Sequence, residues 1–241
     1  SLTGSQGNDL IIGGRGNDLA LMGDGDDAFV WNPGDGSDTV EGQAGTDTML
    51  FNGANINENI DLSANGTRLR LFRDVANITM DINGVENVNL NMLGGADTIT
   101  VNNLAGTDVT HVSVNLAATA GGTTGDGAAD NVIINGTDNA DAISLAGDAN
   151  QTSVTGLSAE VDVTTLDSQD KITVNALGGD DVVNAGATSV PTVQNGGDGD
   201  DVLIGGTADD TLSGGNGDDI LEGGPGNDLL DGGPGNNILI Q

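Results

Sequence analysis

The sequence predicts an all-β protein built as a right-handed solenoid of short parallel strands. The first observation is a nine-residue repeat at both ends of the chain, in which a glycine-rich turn precedes a short segment with an apolar centre. The second is the recurrence of alternating apolar and polar residues through the middle of the chain, which is typical of strands. The third is that no segment keeps a 3.6-residue apolar period, so we predict no long helix. Crossovers between parallel strands are expected to be right-handed.

The N-terminal section, residues 1–50, contains five repeat units. From Gly4 they read GSQGNDLII, GGRGNDLAL and MGDGDDAFV, and PGDGSDTVE and GQAGTDTML follow the inserted residues Trp31 and Asn32. The units fit the pattern G-G-x-G-x-D-x-U-x, in which U is a large apolar residue. Because side chains alternate along a strand, the central residue of each strand should point inward. In the first three units these residues are Ile11, Ala20 and Phe29.

The C-terminal section, residues 196–241, contains five consecutive units of the same kind: GGDGDDVLI, GGTADDTLS, GGNGDDILE, GGPGNDLLD and GGPGNNILI. The alternative interpretation of such an Asp- and Gly-rich stretch is a disordered acidic linker. A leucine recurs at the inward position of every unit, which argues against the linker. The positions are 203, 212, 221, 230 and 239.

The central section, residues 51–195, is β-rich and contains two copies of a unit of about 83 residues. Ile60 and Leu62 recur as Ile143 and Leu145, 83 positions later, and the clearest parts of the copies are 53–102 and 136–184. Each copy ends in a degenerate turn of the form L-G-G-x-D. Two architectures stay open at this point. One is a single solenoid that is irregular in the middle, and the other is two rolls flanking a compact β-sandwich-like insertion.

Composition excludes several classes of function. The chain has 37 acidic and five basic residues, a net charge of −32 and no cysteine. Nucleic acid is therefore not an expected partner, and thiolate metal sites and thiol catalysis are excluded. No apolar run is long enough for a membrane span. The aromatic content of 2% argues against a sugar-cleaving cleft. Because the chain lacks an initiator Met, we expect it to be a piece of a longer protein.

Stacked aspartates point to a bound cation. Two repeat units make one coil, so turns 18 residues apart should stack about 4.8 Å from each other on the same edge. Asp201 then lies over Asp219, and Asp9 lies over Asp27. Like charges at that separation repel unless a cation lies between them. Two carboxylates and about four turn carbonyls would give the oxygen ligands that Ca²⁺ prefers, whereas zinc favours His or Cys and magnesium a tighter octahedron.

These repeats resemble the RTX (hemolysin-type) calcium-binding nonapeptide-repeat family, whose fold is a parallel β-roll. The resemblance implies several bound Ca²⁺ ions as the cofactor and specifies the carbonyl ligands. Each ion is bound by the carbonyls two and four residues before one Asp, and by those three and five residues before the Asp of the next coil. For the C-terminal section this implies one site from Gly197, Gly199, Asp201, Gly214, Asn216 and Asp219, and another from Gly206, Ala208, Asp210, Gly223, Pro225 and Asp228.

In the N-terminal section the same rule implies a site formed by Ser5, Gly7, Asp9, Met22, Asp24 and Asp27. The pairs Asp18 with Asp38 and Asp27 with Asp47 are 20 residues apart because of the insertion. In the last unit Asn237 replaces Asp, so a site shared with Asp219 would lose one charge. The other residues predicted to bind metal are Gly14, Gly16, Gly25, Asp35, Gly42, Ala44, Gly179, Asp181, Gly196, Asp198, Gly217, Gly232 and Pro234.

A few residues outside the repeats could carry other functions. The single imidazole, His111, lies on a predicted strand, and without a G-x-S-x-G motif it is expected to occupy a surface or packed position. Trp31 is expected to be a packing anchor. Arg68, Arg70 and Arg73 either balance nearby acids on a strand face or form a docking spot for an acidic partner or another solenoid. We predict no catalytic residues and no enzyme activity.

Three functions fit these patterns. The first is a calcium-binding structural module of a secreted or cell-surface bacterial protein, which the family resemblance implies is exported unfolded by a one-step secretion machinery and folds outside the cell. The second is the calcium-binding appendage of a secreted enzyme whose catalytic domain is absent here. The third is an adhesin or surface-layer segment, with self-association or a cell-surface partner. Small inward side chains and glycine-rich turns predict that calcium drives a transition from disorder to order.

Overall fold

The computed structural model describes residues 1–241 and contains two β-sheets of 12 strands each. In both end sections, successive strands alternate between the two sheets, so that one strand from each sheet makes one coil. The one helical segment is a short 3₁₀ turn at Val75–Asn77. No helix is long and apolar enough to cross a membrane.

The first sheet, sheet A, contains in spatial order β1 (Leu2–Thr3), β3 (Leu19–Asp24), β5 (Thr39–Ala44), β9 (Ile78–Asn83), β8 (Arg68–Arg73), β7 (Asn59–Asn65), β11 (Thr98–Val101), β13 (Asn131–Asn135), β17 (Lys171–Gly178), β19 (Thr192–Asp198), β21 (Thr211–Asn216) and β23 (Leu229–Asp231). The second, sheet B, contains β2 (Leu10–Ile12), β4 (Ala28–Trp31), β6 (Thr48–Asn52), β10 (Asn87–Asn91), β12 (His111–Asn115), β16 (Glu160–Thr164), β15 (Gln151–Thr155), β14 (Ala142–Gly147), β18 (Val182–Thr188), β20 (Val202–Ile204), β22 (Ile220–Glu222) and β24 (Ile238–Ile240).

The register of the end sections follows the repeat length. Leu10 pairs with Ala28 in sheet B, and Thr211 pairs with Leu229 in sheet A, each 18 residues along the chain. Where Trp31 and Asn32 are inserted, the step becomes 20 residues, as in the pairing of Ala28 with Thr48. Equivalent turns therefore stack along the same edge of the solenoid, as the repeat predicts.

One continuous hydrophobic core of 44 buried residues lies between the sheets. Trp31 is fully buried and stacks on Phe51 with ring centroids 4.2 Å apart, and its indole N–H donates to the Gly36 carbonyl at 2.8 Å. Trp31 is therefore a packing anchor, as expected. Most predicted inward residues of the repeats are buried, but Leu239 is 50% exposed because β24 is the edge strand of sheet B.

The middle of the chain adds two antiparallel meanders to an otherwise parallel stack. β7, β8 and β9 form one meander in sheet A, and β14, β15 and β16 form the other in sheet B. In both, the last strand of the meander lies nearest the N-terminal coils, so the chain order is locally reversed. Ile60 and Leu62 lie in β7, and Ile143 and Leu145 occupy corresponding places in β14.

Both sheets run without a break from one end of the chain to the other. In sheet A, β5 pairs with β9 and β17 pairs with β19, which links the central coils to both end sections. The predicted fold class, an all-β parallel solenoid of the β-roll type, is confirmed. Of the two architectures left open by the sequence, the structure has the continuous one. The division at residues 50/51 and 195/196 stays a prediction.

Candidate metal centre

The repeat aspartates form columns along the edges of the solenoid, one residue ahead of each strand. The backbone N–H of Asp9 donates to Oδ1 of Asp27 at 2.7 Å, and that of Asp27 donates to Oδ1 of Asp47 at 2.8 Å. The same link joins other pairs one coil apart: Asp18 to Asp38, Asp181 to Asp201, Asp201 to Asp219, and Asp210 to Asp228. We call these stacks the aspartate columns. They place the predicted carboxylates of adjacent coils together.

The second carboxylate oxygen of most column residues has no hydrogen-bond partner although it is buried. This holds for Oδ2 of Asp27, Asp38, Asp47, Asp181, Asp201, Asp219 and Asp228. A buried charged oxygen without a partner costs several kcal/mol of desolvation energy, so such atoms are rare unless an ion compensates them. The orphaned oxygens therefore fit a bound cation.

Glycines keep space free beside these oxygens. A Cβ atom on Gly196 would lie 2.2 Å from Oδ2 of Asp201 and 2.5 Å from the carbonyl oxygen of Gly214. A Cβ atom on Gly205 would likewise lie 2.2 Å from the Gly223 carbonyl oxygen. A carboxylate oxygen and a carbonyl oxygen of the next coil thus border the same small space. Hard oxygen donors of these two kinds are the ligands of calcium.

Several predicted carbonyl ligands also hold adjacent coils together. The Asn216 carbonyl accepts from the Gly199 N–H at 2.9 Å, and the Ala44 carbonyl accepts from the Gly25 N–H at 2.8 Å. Pro234 and Asp198 carbonyls make the same link. Because a carbonyl oxygen has two lone pairs, each can accept this hydrogen bond and still bind an ion.

Not every predicted residue lies in the same surroundings. Oδ2 of Asp210 accepts from the Gly206 N–H at 2.6 Å, so it has a protein partner. Position 237 holds Asn, so there is no second carboxylate beside Asp219 in the last gap. The Asn237 side chain donates to the Gly233 carbonyl at 3.0 Å. The Asp35 side chain caps the Asn32 N–H in the insertion loop. Beyond Asp38, the next position holds the sulfur of Met80, and the column ends there.

Most of the turns before the column aspartates have a left-handed backbone at two positions, four and two residues before the Asp. Before Asp201 these are Gly197 and Gly199, with φ of 115° and 137°. Before Asp181 the first is Leu177, with φ of 82°. A left-handed conformation costs an L-residue roughly 1–2 kcal/mol, which glycine avoids.

Replacing Leu177 by glycine is therefore expected to stabilise the protein. Since Leu177 is 45% exposed, only part of its side chain is packed, and we expect Leu177→Gly to raise the free energy of unfolding by about 0.5–1 kcal/mol in saturating calcium. Urea denaturation measures this change. Leu229→Gly, on an extended exposed strand position, is the matched control and should lower stability. An equal loss in both variants would contradict the expectation.

Burial and mutual repulsion raise the pKa values of several column aspartates. The pKa of Asp201 is raised to about 6, chiefly by burial and also by the carboxylates of Asp181 and Asp219, against a hydrogen bond from the Asp181 N–H that lowers it. Burial likewise raises the pKa of Asp38 to about 6, with Asp18 and Asp35 contributing. Burial also raises the pKa of Asp47, Asp181 and Asp210. A cation in the gap would favour the ionised forms instead.

No point in the structure is surrounded by three or more carboxylate or imidazole side chains. Any ion between coils would therefore take two carboxylates at most and complete its coordination with carbonyl oxygens. That donor set suits calcium and not zinc, which agrees with the prediction from the sequence.

The remaining candidates contact neighbouring polar and charged side chains. His111 Nε2 lies 3.1 Å from Oδ2 of Asp162, and the hydroxyl of Ser153 contacts the other oxygen of Asp162. In a catalytic triad the imidazole would lie between the other two groups, and here the carboxylate does. Arg68 pairs with Glu41 and Asp81, and Arg70 pairs with Asp61. These arginines balance nearby acids, which was one of the two interpretations of the cluster.

A further set of stacked acids, in the central section, was not predicted from the sequence. Glu58, Asp97, Asp130 and Asp170 form a column of the same kind ahead of strands of sheet A. Arg73 was expected on a strand face or at a docking spot together with Arg68 and Arg70, but it is buried and forms an ion pair with Glu58. The only signal in the sequence was the degenerate turn at 93–97.

Comparison with protein families gives one result. The family described as RTX calcium-binding nonapeptide repeat (4 copies) matches residues 1–29, 34–55, 195–230 and 204–239. The matched segments cover most of the two end sections, extend a few residues into the central section, and contain most of the orphaned aspartate oxygens. A comparison with curated proteins gives no match.

Proposed function

Because the chain carries RTX calcium-binding nonapeptide repeats in both end sections, we propose that it is a structural calcium-binding module of a secreted or cell-surface bacterial protein. Such repeats are a calcium-binding scaffold and not a catalytic unit. The module is exported unfolded and folds when it meets calcium outside the cell. Its ions lie between adjacent coils of the aspartate columns.

One observation supports this proposal above the others, namely the series of buried and unpartnered Oδ2 atoms along the columns. In the metal-free fold, each added coil brings another buried carboxylate next to the last one. The repulsion and desolvation therefore grow with the number of coils. A divalent cation in each gap offsets both costs, so calcium binding supplies free energy of folding.

The end sections need this contribution more than the middle does. Their turns are rich in glycine, which loses much conformational entropy on folding, and they hold most of the orphaned aspartate oxygens. The central section contains fewer glycines for its length, although the N-terminal section also buries large side chains, among them Phe29 and Trp31. The proposal therefore assigns the calcium dependence mainly to residues 1–50 and 196–241.

A calcium titration tests the proposed function. Isothermal titration calorimetry measures binding while far-UV circular dichroism measures strand formation, with magnesium titrated as the matched control. The two midpoints should coincide, at a calcium concentration on the order of 10⁻⁴ to 10⁻³ M, as in other extracellular modules. Strand content that is equal with chelator and with calcium would overturn the proposal. A calcium midpoint below about 10⁻⁶ M would overturn the proposal that folding occurs outside the cell, because the chain would then fold before export.

Acidification is expected to have opposite effects on the metal-free and the calcium-bound protein. The pKa values of Asp38 and Asp201, about 6, lie above the value of about 3.9 for an unfolded chain. Each such carboxyl binds its proton more tightly in the folded state. Its contribution to stability is therefore complete below about pH 4 and is lost as the pH rises through about 6. Calcium, in contrast, needs the ionised form.

Going from about pH 8 to about pH 5.5 should thus stabilise the metal-free protein and weaken calcium binding. Thermal unfolding in chelator and calcium titrations at both pH values measure the two effects. An affinity for calcium that increases on acidification would contradict the assignment of the column carboxylates as ligands.

A further inference from the structure

The central section contains its own column of acids, outside every segment that matches the repeat family. The N–H of Glu58 donates to Oδ1 of Asp97 at 2.8 Å, that of Asp97 to Oδ1 of Asp130 at 2.7 Å, and that of Asp130 to Oδ1 of Asp170 at 2.9 Å. We call this stack the central column. Its members are 39, 33 and 40 residues apart, because the central coils contain long insertions.

An arginine neutralises one end of the central column. Arg73 and Glu58 are both almost completely buried and form an ion pair, and the Arg73 guanidinium also lies 5.3 Å from the centre of the Trp31 ring. Glu58 therefore has a protein cation as its partner. None of the ion pairs in the structure reaches the next members, Asp97, Asp130 and Asp170.

Asp97 has a buried oxygen with no partner. The residue is 1% exposed, and its Oδ2 accepts no hydrogen bond although Oδ1 accepts one from Glu58. Asp130, one coil further, is also buried. Two carboxylates in this position repel one another, and the surroundings contain no side-chain cation to compensate them.

The turn before Asp97 has the same backbone form as the turns of the repeats. Leu93 and Gly95 have φ of 72° and 121°, at the two positions that are left-handed before Asp201. On the facing coil, the Asp126 carboxylate accepts from the Gly95 N–H at 2.7 Å and from the Ala128 N–H at 2.8 Å. Asp126 thus fixes the two turns against each other and adds a further negative charge at the rim of the gap.

We propose that the gap between the Asp97 and Asp130 turns binds a hard divalent cation, with calcium as the preferred ion. Asp97 and Asp130 supply the carboxylate ligands, turn carbonyls complete the oxygen coordination, and Asp126 increases the local negative charge. Arg73 replaces such an ion at Glu58, so the cation site begins one coil later. The site rests on the central column alone and does not depend on calcium binding by the repeats.

Counting bound ions in the intact chain tests the site. Asp97→Asn removes the charge but keeps an oxygen to accept the Glu58 N–H. After equilibrium dialysis against saturating calcium, atomic emission should find one ion fewer per chain in Asp97→Asn than in the wild type. Asp138→Asn, which removes the same charge at an exposed position outside the column, should keep the wild-type count. An unchanged count in folded Asp97→Asn would overturn the proposal. It would mean that Asp97 binds no ion, as is expected of a carboxyl group that stays protonated.

Two further variants keep the test decisive. If Asp97→Asn does not fold, Asp126→Asn serves instead, because it changes only the rim of the gap. It should raise the calcium concentration needed to load the last ion several-fold relative to Asp138→Asn, and equal affinities would overturn the site. Asp219→Asn separates this proposal from the proposed function. Loss of an ion only in Asp97→Asn would support the central site and contradict calcium binding by the repeats. Loss of an ion only in Asp219→Asn would support calcium binding by the repeats and contradict the central site.

Discussion

Removing calcium at neutral pH is expected to unfold both end sections. With a chelator in excess, the backbone amides of residues 1–50 and 196–241 should exchange with solvent at rates close to those of an unfolded chain. The orphaned oxygens of Asp27, Asp201 and Asp219 would otherwise stay buried with neither a hydrogen-bond partner nor a cation. Hydrogen–deuterium exchange with mass spectrometry, in calcium and in chelator, measures this change for each section.

The central section provides the internal comparison. It contains fewer glycines for its length, and Glu58 has Arg73 as a built-in cation, so it should keep more protection in chelator than the ends. Excess magnesium in place of calcium should not restore the ends, since magnesium requires a tighter octahedron with bound waters. Equal protection of the end sections with and without calcium would show that the repeats fold without metal.

Loss of Asp219 is expected to weaken calcium-induced folding strongly. Its Oδ1 accepts from the Asp201 N–H at 2.9 Å, its own N–H donates to Asn237 Oδ1 at 2.7 Å, and its Oδ2 is buried and unpartnered. The residue therefore borders two gaps between coils. Asp219→Ala should weaken calcium-induced folding by about 10- to 100-fold in calcium concentration, because a ligand is lost and the Asp201 N–H becomes unpaired.

The matched control for this variant is Asp138→Ala, which removes an exposed carboxylate outside every column. It should leave the calcium midpoint within about twofold of the wild type. Asp162 is a less suitable control, since its carboxylate contacts Ser153 and His111 on sheet B. Similar midpoints for Asp219→Ala and Asp138→Ala would contradict the register of the columns, and calcium titration by circular dichroism distinguishes the outcomes.

The regular parts of the fold could be predicted because the repeat specifies two things, where each strand lies in the sequence and which strand it pairs with. A nine-residue unit with one inward leucine specifies both the strand and its position in the coil, so pairings such as Leu203 with Leu221 follow from the spacing alone. The two meanders could not be predicted in this way. Apolar alternation marks β7, β8 and β9 as strands, but it carries no signal for their direction or for their reversed order in sheet A.

In the candidate site, too, the contacts set by the repeat could be predicted and the others could not. Asp201 and Asp219 are 18 residues apart, so their contact could be predicted, whereas Asp97 and Asp130 are 33 residues apart and share no repeat. Arg73 was assigned with Arg68 and Arg70 because the three are close in sequence. Since β8 points alternate residues to opposite faces, Arg73 enters the core beside Trp31 while the other two stay on the outer face.

Anomalous X-ray diffraction from crystals grown in calcium tests the central claim most directly. The account predicts anomalous peaks between adjacent coils of the aspartate columns, with one between the turns of Asp201 and Asp219 and carbonyl oxygens around it. Replacement of calcium by a chelator should remove the peaks together with the order of the end sections. Well-ordered glycine-rich turns with no peak beside these aspartates, or ions bound elsewhere on the surface, would contradict it.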